Sequence, residues 1–171
     1  KDYDQENNIL NNLALAYLNT GERKLAVKYM SEVGKREEKS NRPDIFKVNT
    51  YSNLAVIIPD RKIGKEYALK SYKVYMNNKE QFRNSMGFIN TVSILSEFYV
   101  AEKNYSEAEK VIMSGYEYAK VNYQKNILGF KNYLYLYGDI AGLKNKDYDT
   151  CINYSKIIID ELIKVDSTSP D

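Results

Sequence analysis

Apolar residues recur every three or four positions along most of this chain, which is the spacing of amphipathic helices. Within these runs a small residue returns at intervals of 41, 41 and 42 positions, at Ala14, Ala55, Ser96 and Gly138. A second small residue follows each by 12 or 13 positions, at Ala26, Ala68, Ala108 and Cys151. Because small residues allow two helices to approach closely, the pattern predicts an all-α fold of four helix pairs that bury their core against neighbouring pairs.

The first repeat carries the clearest motif. The run Asn12-Leu13-Ala14-Leu15-Ala16-Tyr17 is followed by Gly21 at a predicted turn and then by Ala26, Tyr29, Met30 and Val33. This motif resembles the tetratricopeptide repeat, in which small residues at the helix contact and a nearby aromatic residue recur in the same order. Leu95-Ser96, Tyr99, Tyr105 and Ala108 repeat it, whereas the second and fourth repeats match more loosely and the period is about 42 instead of 34.

The resemblance implies an α-solenoid of about four helix-turn-helix repeats wound into a right-handed superhelix. We expect the repeats at approximately 4–40, 43–79, 82–122 and 124–165 of a single domain, 1–171. The chain begins at Lys1 without a methionine, and we expect it to be an excerpt of a longer protein. Apolar residues of its last helix cover more than one helix face, so further repeats or a second copy would cover Ile152, Ile159 and Ile163. The alternative is that isoleucine is simply abundant in this chain.

Composition narrows the classes of partner. The chain holds 25 basic and 23 acidic residues, a net charge of +2, so no long-range field favours nucleic acid or an anionic membrane. Its one basic and aromatic run, Lys70-Ser71-Tyr72-Lys73-Val74-Tyr75, is interpreted as a packed helix with a solvated lysine edge. No apolar run approaches the length of a membrane span and no targeting segment is recognised, which favours the cytoplasm while leaving the compartment open. Abundant Asn, Lys, Ile and Tyr indicate a low-GC bacterial genome.

Catalytic and metal-binding chemistry is poorly supplied. The chain has no histidine and a single cysteine, which excludes Ser-His and Cys-His nucleophiles and cysteine clusters. Gly34-Lys35 and Gly64-Lys65 lack the upstream glycine of a phosphate-binding loop, since Tyr29 and Pro59 stand there. We therefore expect no enzyme activity, no catalytic residues, no bound metal and no cofactor, and we expect Cys151 to pack as a small apolar residue.

Asparagines stand six positions before each first-helix small residue, at Asn8, Asn49, Asn90 and Asn132. The resemblance to tetratricopeptide repeats implies that this position faces the concave groove. Neighbouring groove positions would be Asn11, Ser52, Ser93 and Tyr135, followed by Leu15, Val56, Glu97 and Asp139, which make the groove apolar at its start and acidic toward its end. An amide side chain can donate to and accept from the backbone of an extended peptide. The alternative is that these asparagines only cap or solvate helices, since asparagine makes up 18 of the 171 residues.

Two functions follow from this pattern. The first is a protein- or peptide-binding scaffold, the sensory or partner-docking region of a larger bacterial signalling or regulatory protein. The second is a structural scaffold that self-associates through its apolar C-terminal helix. A polar groove favours the first function, and concentration-dependent mass would favour the second.

Overall fold

The structure, a computed structural model, describes residues 3–40, 44–80, 86–121 and 138–167. The regular secondary structure of these residues consists of helices α1 to α8. Their bounds are Tyr3–Asn19 (α1), Arg23–Lys39 (α2), Asp44–Ile57 (α3), Arg61–Asn77 (α4), Met86–Ala101 (α5), Tyr105–Val121 (α6), 138–145 for the described part of α7, and Tyr148–Ser167 (α8). The all-α prediction is confirmed. The helices pack as successive pairs, each within one predicted repeat, which gives a repeat-like architecture.

Two compact units divide the chain, residues 1–82 and 83–171. Helices α1 to α4 belong to the first unit and α5 to α8 to the second. The single continuous repeat domain stays a prediction, and each unit is described by itself.

A polar residue precedes the second helix of every pair. Asp60 accepts hydrogen bonds from the backbone N–H groups of Lys62 (2.9 Å) and Ile63 (3.1 Å), and Asp147 accepts one from that of Thr150 (3.0 Å). These bonds satisfy backbone donors that have no partner within the first helical turn. Pro59 and Asp60 thus separate α3 from α4.

The fourth residue after each of these positions is small. The backbone N–H groups of Ala26, Gly64, Ala108 and Cys151 close the first helical turn on the carbonyls of Glu22, Asp60, Asn104 and Asp147. This shared position corrects the predicted repeat spacing, because Gly64, and not Ala68, is the counterpart of Ala26 in the second pair. Helix α4 begins 38 residues after α2, α6 begins 44 after α4, and α8 begins 43 after α6.

The same correction applies to the first helix of the second pair. In unit 1 a three-residue turn joins the two helices of each pair, 20–22 in the first pair and 58–60 in the second. A shift of 38 residues therefore aligns the sequences of the two pairs. Ser52 is then the counterpart of Ala14, a position that the sequence pattern assigned to Ala55. Ala55 and Ala68 are nevertheless buried, at 3% and 1% exposure, and this is why their spacing imitates a repeat.

Helices α2 and α3 join the two pairs of unit 1. Met30 of α2 packs in one cluster with Ala14 of α1 and with Leu54 and Ile57 of α3. Arg23 strengthens this contact, since its guanidinium donates from Nε to the carbonyl of Ile57 (2.8 Å) and from Nη2 to that of Val56 (3.1 Å). These carbonyls lie at the end of α3, where no helical N–H remains to bond them.

Unit 2 repeats the pairing, with α5 against α6 and α7 against α8. Val92, Leu95 and Ile112 form part of the buried core of α5 and α6. Gly138 of α7 lies directly against α8, because a Cβ atom added there would be 3.5 Å from the Cα of Cys151. The Cys151 thiol donates to the Gly138 carbonyl, so this cysteine packs in the helix contact, as predicted.

Candidate functional site

The predicted groove residues are mostly accessible. Asn8, Asn49, Asn90, Glu97 and Asp139 are exposed, and Asn11 and Ser93 are half-buried. Asn132 and Tyr135 lie outside the described residues. Leu15 and Val56, the predicted apolar residues of the groove, are 39% and 53% exposed.

Ser52 is a correction to the predicted set. Its side chain is buried, and its Oγ lies 2.9 Å from the Oγ of Ser71, which in turn donates to the carbonyl of Val48. Ser52 faces α4 because it occupies the small-residue position of α3. It therefore does not present its hydroxyl to a ligand.

The 38-residue shift also changes how the asparagines align. Asn49 is the counterpart of Asn11 and, in the third pair, of Ser93, whereas Asn8 corresponds to Asn90. The slot equivalent to Asn8 in α3 holds Phe46, which is 39% exposed. Among the described residues, Asn8 and Asn90 thus share one repeat position, and Asn49 occupies another, one helical turn later.

We call the accessible side of α1 and α3 the candidate face; it consists of Asn8, Asn11, Leu15, Phe46, Asn49, Asn53 and Val56. Sequence reasoning missed Phe46 and Asn53 of this face. Asp60, the residue directly before α4, was the signal that could have found them, because counting back from it aligns α3 with α1. In unit 2 the corresponding positions of α5 are Asn90, Ser93 and Glu97.

The exposed asparagines have unoccupied hydrogen-bonding groups. In the described ranges the side chains of Asn8, Asn49 and Asn90 bond no other residue. Each amide therefore offers one acceptor and a two-hydrogen donor to an incoming molecule. Such a pair matches the C=O and N–H of a peptide backbone, and the exposed apolar residues beside it provide contact for side chains.

Besides the exposed asparagines, α1 carries two asparagines, Asn7 and Asn11, whose hydrogen-bonding groups are not all satisfied. Asn7 is 3% exposed and its Nδ2 donates to Oε1 of Glu37 at 2.9 Å; Glu37 is 1% exposed and also accepts from Ser40. The Oδ1 atoms of Asn7 and Asn11 are buried without a hydrogen-bond partner. This polar contact between α1 and α2 was not predicted, since a buried asparagine and glutamate look like solvated residues in the sequence.

The basic and aromatic run of α4 is a packed surface. Lys70 pairs with Glu38 of α2 at 2.9 Å and lies over the rings of Tyr67 (5.0 Å) and Tyr51 (5.7 Å). The hydrogen bond that Lys70 donates to Glu38 holds the pKa of Lys70 above its ordinary value, and burial raises the pKa of Tyr51. Tyr75 is 1% exposed. The interpretation as a packed helix with a lysine edge is consistent with this arrangement.

The described ranges offer few groups for other classes of site. No group of three or more Cys, Asp or Glu side chains there could hold a metal ion. None of the helices in those ranges combines the length and apolarity needed to cross a membrane.

Comparison of the chain with protein-family models, with curated proteins and with solved structures finds no match.

Proposed function

We propose that this chain is a peptide-binding scaffold that holds an extended segment of a partner protein on the first helices of its repeats. The observation that carries the proposal is the set of exposed asparagines on these helices whose amides bond no described residue. As part of the proposal, the helix pairs follow the tetratricopeptide arrangement, a right-handed superhelix with these helices on its concave side. The scaffold would serve as the docking or sensory region of a larger bacterial signalling protein, without catalytic activity.

The composition of the candidate face supports a peptide over a small molecule. Asn49 supplies a donor and an acceptor for backbone groups, while Leu15, Phe46 and Val56 are large apolar side chains with 39%, 39% and 53% exposure. A peptide with apolar side chains next to an extended backbone would use both kinds of contact. In unit 2, Glu97 and Asp139 are acidic and exposed, so a basic residue of the ligand would be favoured there.

The test compares three baits in affinity capture from a lysate of the source cell, followed by titration of the captured peptide. The baits are the chain itself, Asn49→Ala with Asn90→Ala, and the control Asn12→Ala with Asn77→Ala. The control residues are exposed asparagines outside the candidate face. Each lost amide leaves peptide groups unpaired at about 1–2 kcal/mol, so the first double variant should bind roughly 100-fold more weakly.

The melting temperature separates binding from folding. Exposed Asn→Ala changes within helices raise helix propensity slightly, so neither double variant should unfold at a lower temperature. Equal capture by all three baits would contradict the proposal.

A further inference from the structure

The apolar side of α8 corresponds to the side of α2 that is covered by α3 in unit 1. Counted from the residue before each helix, Tyr148 corresponds to Arg23 of α2, and Ile152 corresponds to Val27. Arg23 bonds the end of α3, and Val27 packs on the cluster that holds Leu54 and Ile57. In α8 these positions are open: Tyr148 is 64% and Ile152 is 50% exposed.

The positions of α1 that correspond to the α3 contacts with α2 carry no large apolar side chain, although Ile9 of the same helix is 58% exposed. The residues of α3 that contact α2 are Thr50, Leu54 and Ile57, and their counterparts in α1 are Asn12, Ala16 and Asn19, all exposed. Two asparagines and one alanine would place polar groups against Tyr148 and Ile152. A head-to-tail contact of α8 with these α1 positions is therefore disfavoured, and the α8 sides of two copies can instead pair with each other about a two-fold axis.

Charges at the edge of this side complement such a pair. Asp149 and Lys156 are exposed, stand three residues before and four after Ile152, and have no ion-pair partner in the described part of the chain. Their spacing of seven residues places them on the same edge of the helix. When two α8 helices pack antiparallel around Ile152, Asp149 of one copy lies level with Lys156 of the other, and the contact repeats by symmetry.

We propose that two copies of this chain associate through the α8 side formed by Tyr148, Asp149, Ile152 and Lys156, as an antiparallel two-fold pair. One helix on each side buries less area than the roughly 1,600 Å² of a standard interface. The pair is consequently weak, with a dissociation constant on the order of 10 to 100 µM. This association is independent of the peptide-binding proposal, because α8 contributes no residue to the candidate face.

The experiment is sedimentation equilibrium of the full chain from about 5 to about 500 µM, which brackets the expected constant. Ile152→Asp should leave only monomer. Ile157→Asp is its matched control, since Ile157 is 43% exposed on the same helix but lies on the opposite side from Ile152, and it should dimerise like the unmodified chain. Circular dichroism confirms that each variant remains helical.

Charge exchange gives a second arm that does not depend on an apolar substitution. Lys156→Glu alone should weaken the pair about tenfold, because two attractive contacts become repulsive. Adding Asp149→Lys should restore the original constant. A chain that stays monomeric throughout the range, equal loss in both isoleucine variants, or a charge exchange without restoration would each overturn the proposal.

Discussion

The contact between Asn7 and Glu37 allows a prediction in which two similar substitutions have opposite effects. Asn7→Ala removes a donor 2.9 Å from a carboxylate whose residue is 1% exposed. Hydrogen bonds to charged groups contribute about 1.5–3 kcal/mol. Loss of the orphaned Oδ1 of Asn7 and a better helix propensity offset about 1 kcal/mol of this. We expect the free energy of unfolding of Asn7→Ala to fall by about 0.5–2 kcal/mol.

Asn11→Ala is the matched comparison, one turn further along the same helix. Its Oδ1 is also buried without a partner, but the Asn11 amide donates to no carboxylate among the described residues. Its removal should raise the free energy of unfolding by about 0.5–1 kcal/mol. Urea unfolding followed by circular dichroism measures both values, with each transition fitted separately if the two units unfold apart.

A double-mutant cycle attributes the loss to the contact itself. With Glu37→Ala as the second substitution, the coupling energy to Asn7 should be about 1–2 kcal/mol. The reasoning would be refuted if Asn7→Ala and Asn11→Ala changed stability in the same direction by the same amount, or if the coupling were near zero.

Two further predictions concern other parts of the fold. In Gly34→Ala, the new Cβ would lie 3.0 Å from Cδ1 of Leu54, so we expect urea unfolding to show a free energy of unfolding lower by about 1 kcal/mol. In a Leu54→Ala background the clash is gone and the helix propensity of alanine remains, so the same substitution should raise the free energy of unfolding by a similar amount. A lower free energy of unfolding in both backgrounds would contradict this reasoning. For Asp147, hydrogen bonds from the side chain and the backbone of Thr150 lower the pKa of its carboxyl. The contribution of ionised Asp147 to stability is therefore present above its unfolded-state pKa and is lost as the pH falls through its folded-state pKa. Between about pH 5 and about pH 3 the melting temperature should consequently fall further for the unmodified chain than for Asp147→Asn. An equal fall in both proteins would argue against a capping role for Asp147.

The helix pairs could be predicted from sequence because amphipathic periodicity and small residues report burial directly. The alignment of the second pair could not be read in the same way, since α3 and α4 each contain more than one small buried residue, among them Ser52 and Ala55 in α3 and Gly64 and Ala68 in α4. A constant interval selects the wrong member of each couple. Local chemistry at the turn resolves the ambiguity, because Asp60 fixes where α4 begins.

The exposure of the candidate residues could be predicted from the amphipathic pattern, as the helix pairs could. Asn8, Asn49 and Asn90 are polar and stand on the outer side of first helices, so the 3.6-residue period is sufficient to place them. The burial of Asn7 and Glu37 depends on which turns of α1 and α2 come level across the pair. That relation is set by three-dimensional packing, and no local pattern reports it.

The equal turns of the first three helix pairs and the variable spacing between pairs indicate where this chain tolerates a change in length. Turns 20–22, 58–60 and 102–104 each contain three residues, whereas the starts of the second helices are 38, 44 and 43 residues apart. The first three repeats thus differ in length outside these turns, and we expect a tag or grafted loop between pairs to be tolerated. One residue inserted into 20–22 would instead rotate all of α2 by about 100° relative to α1 and carry Met30 out of the core.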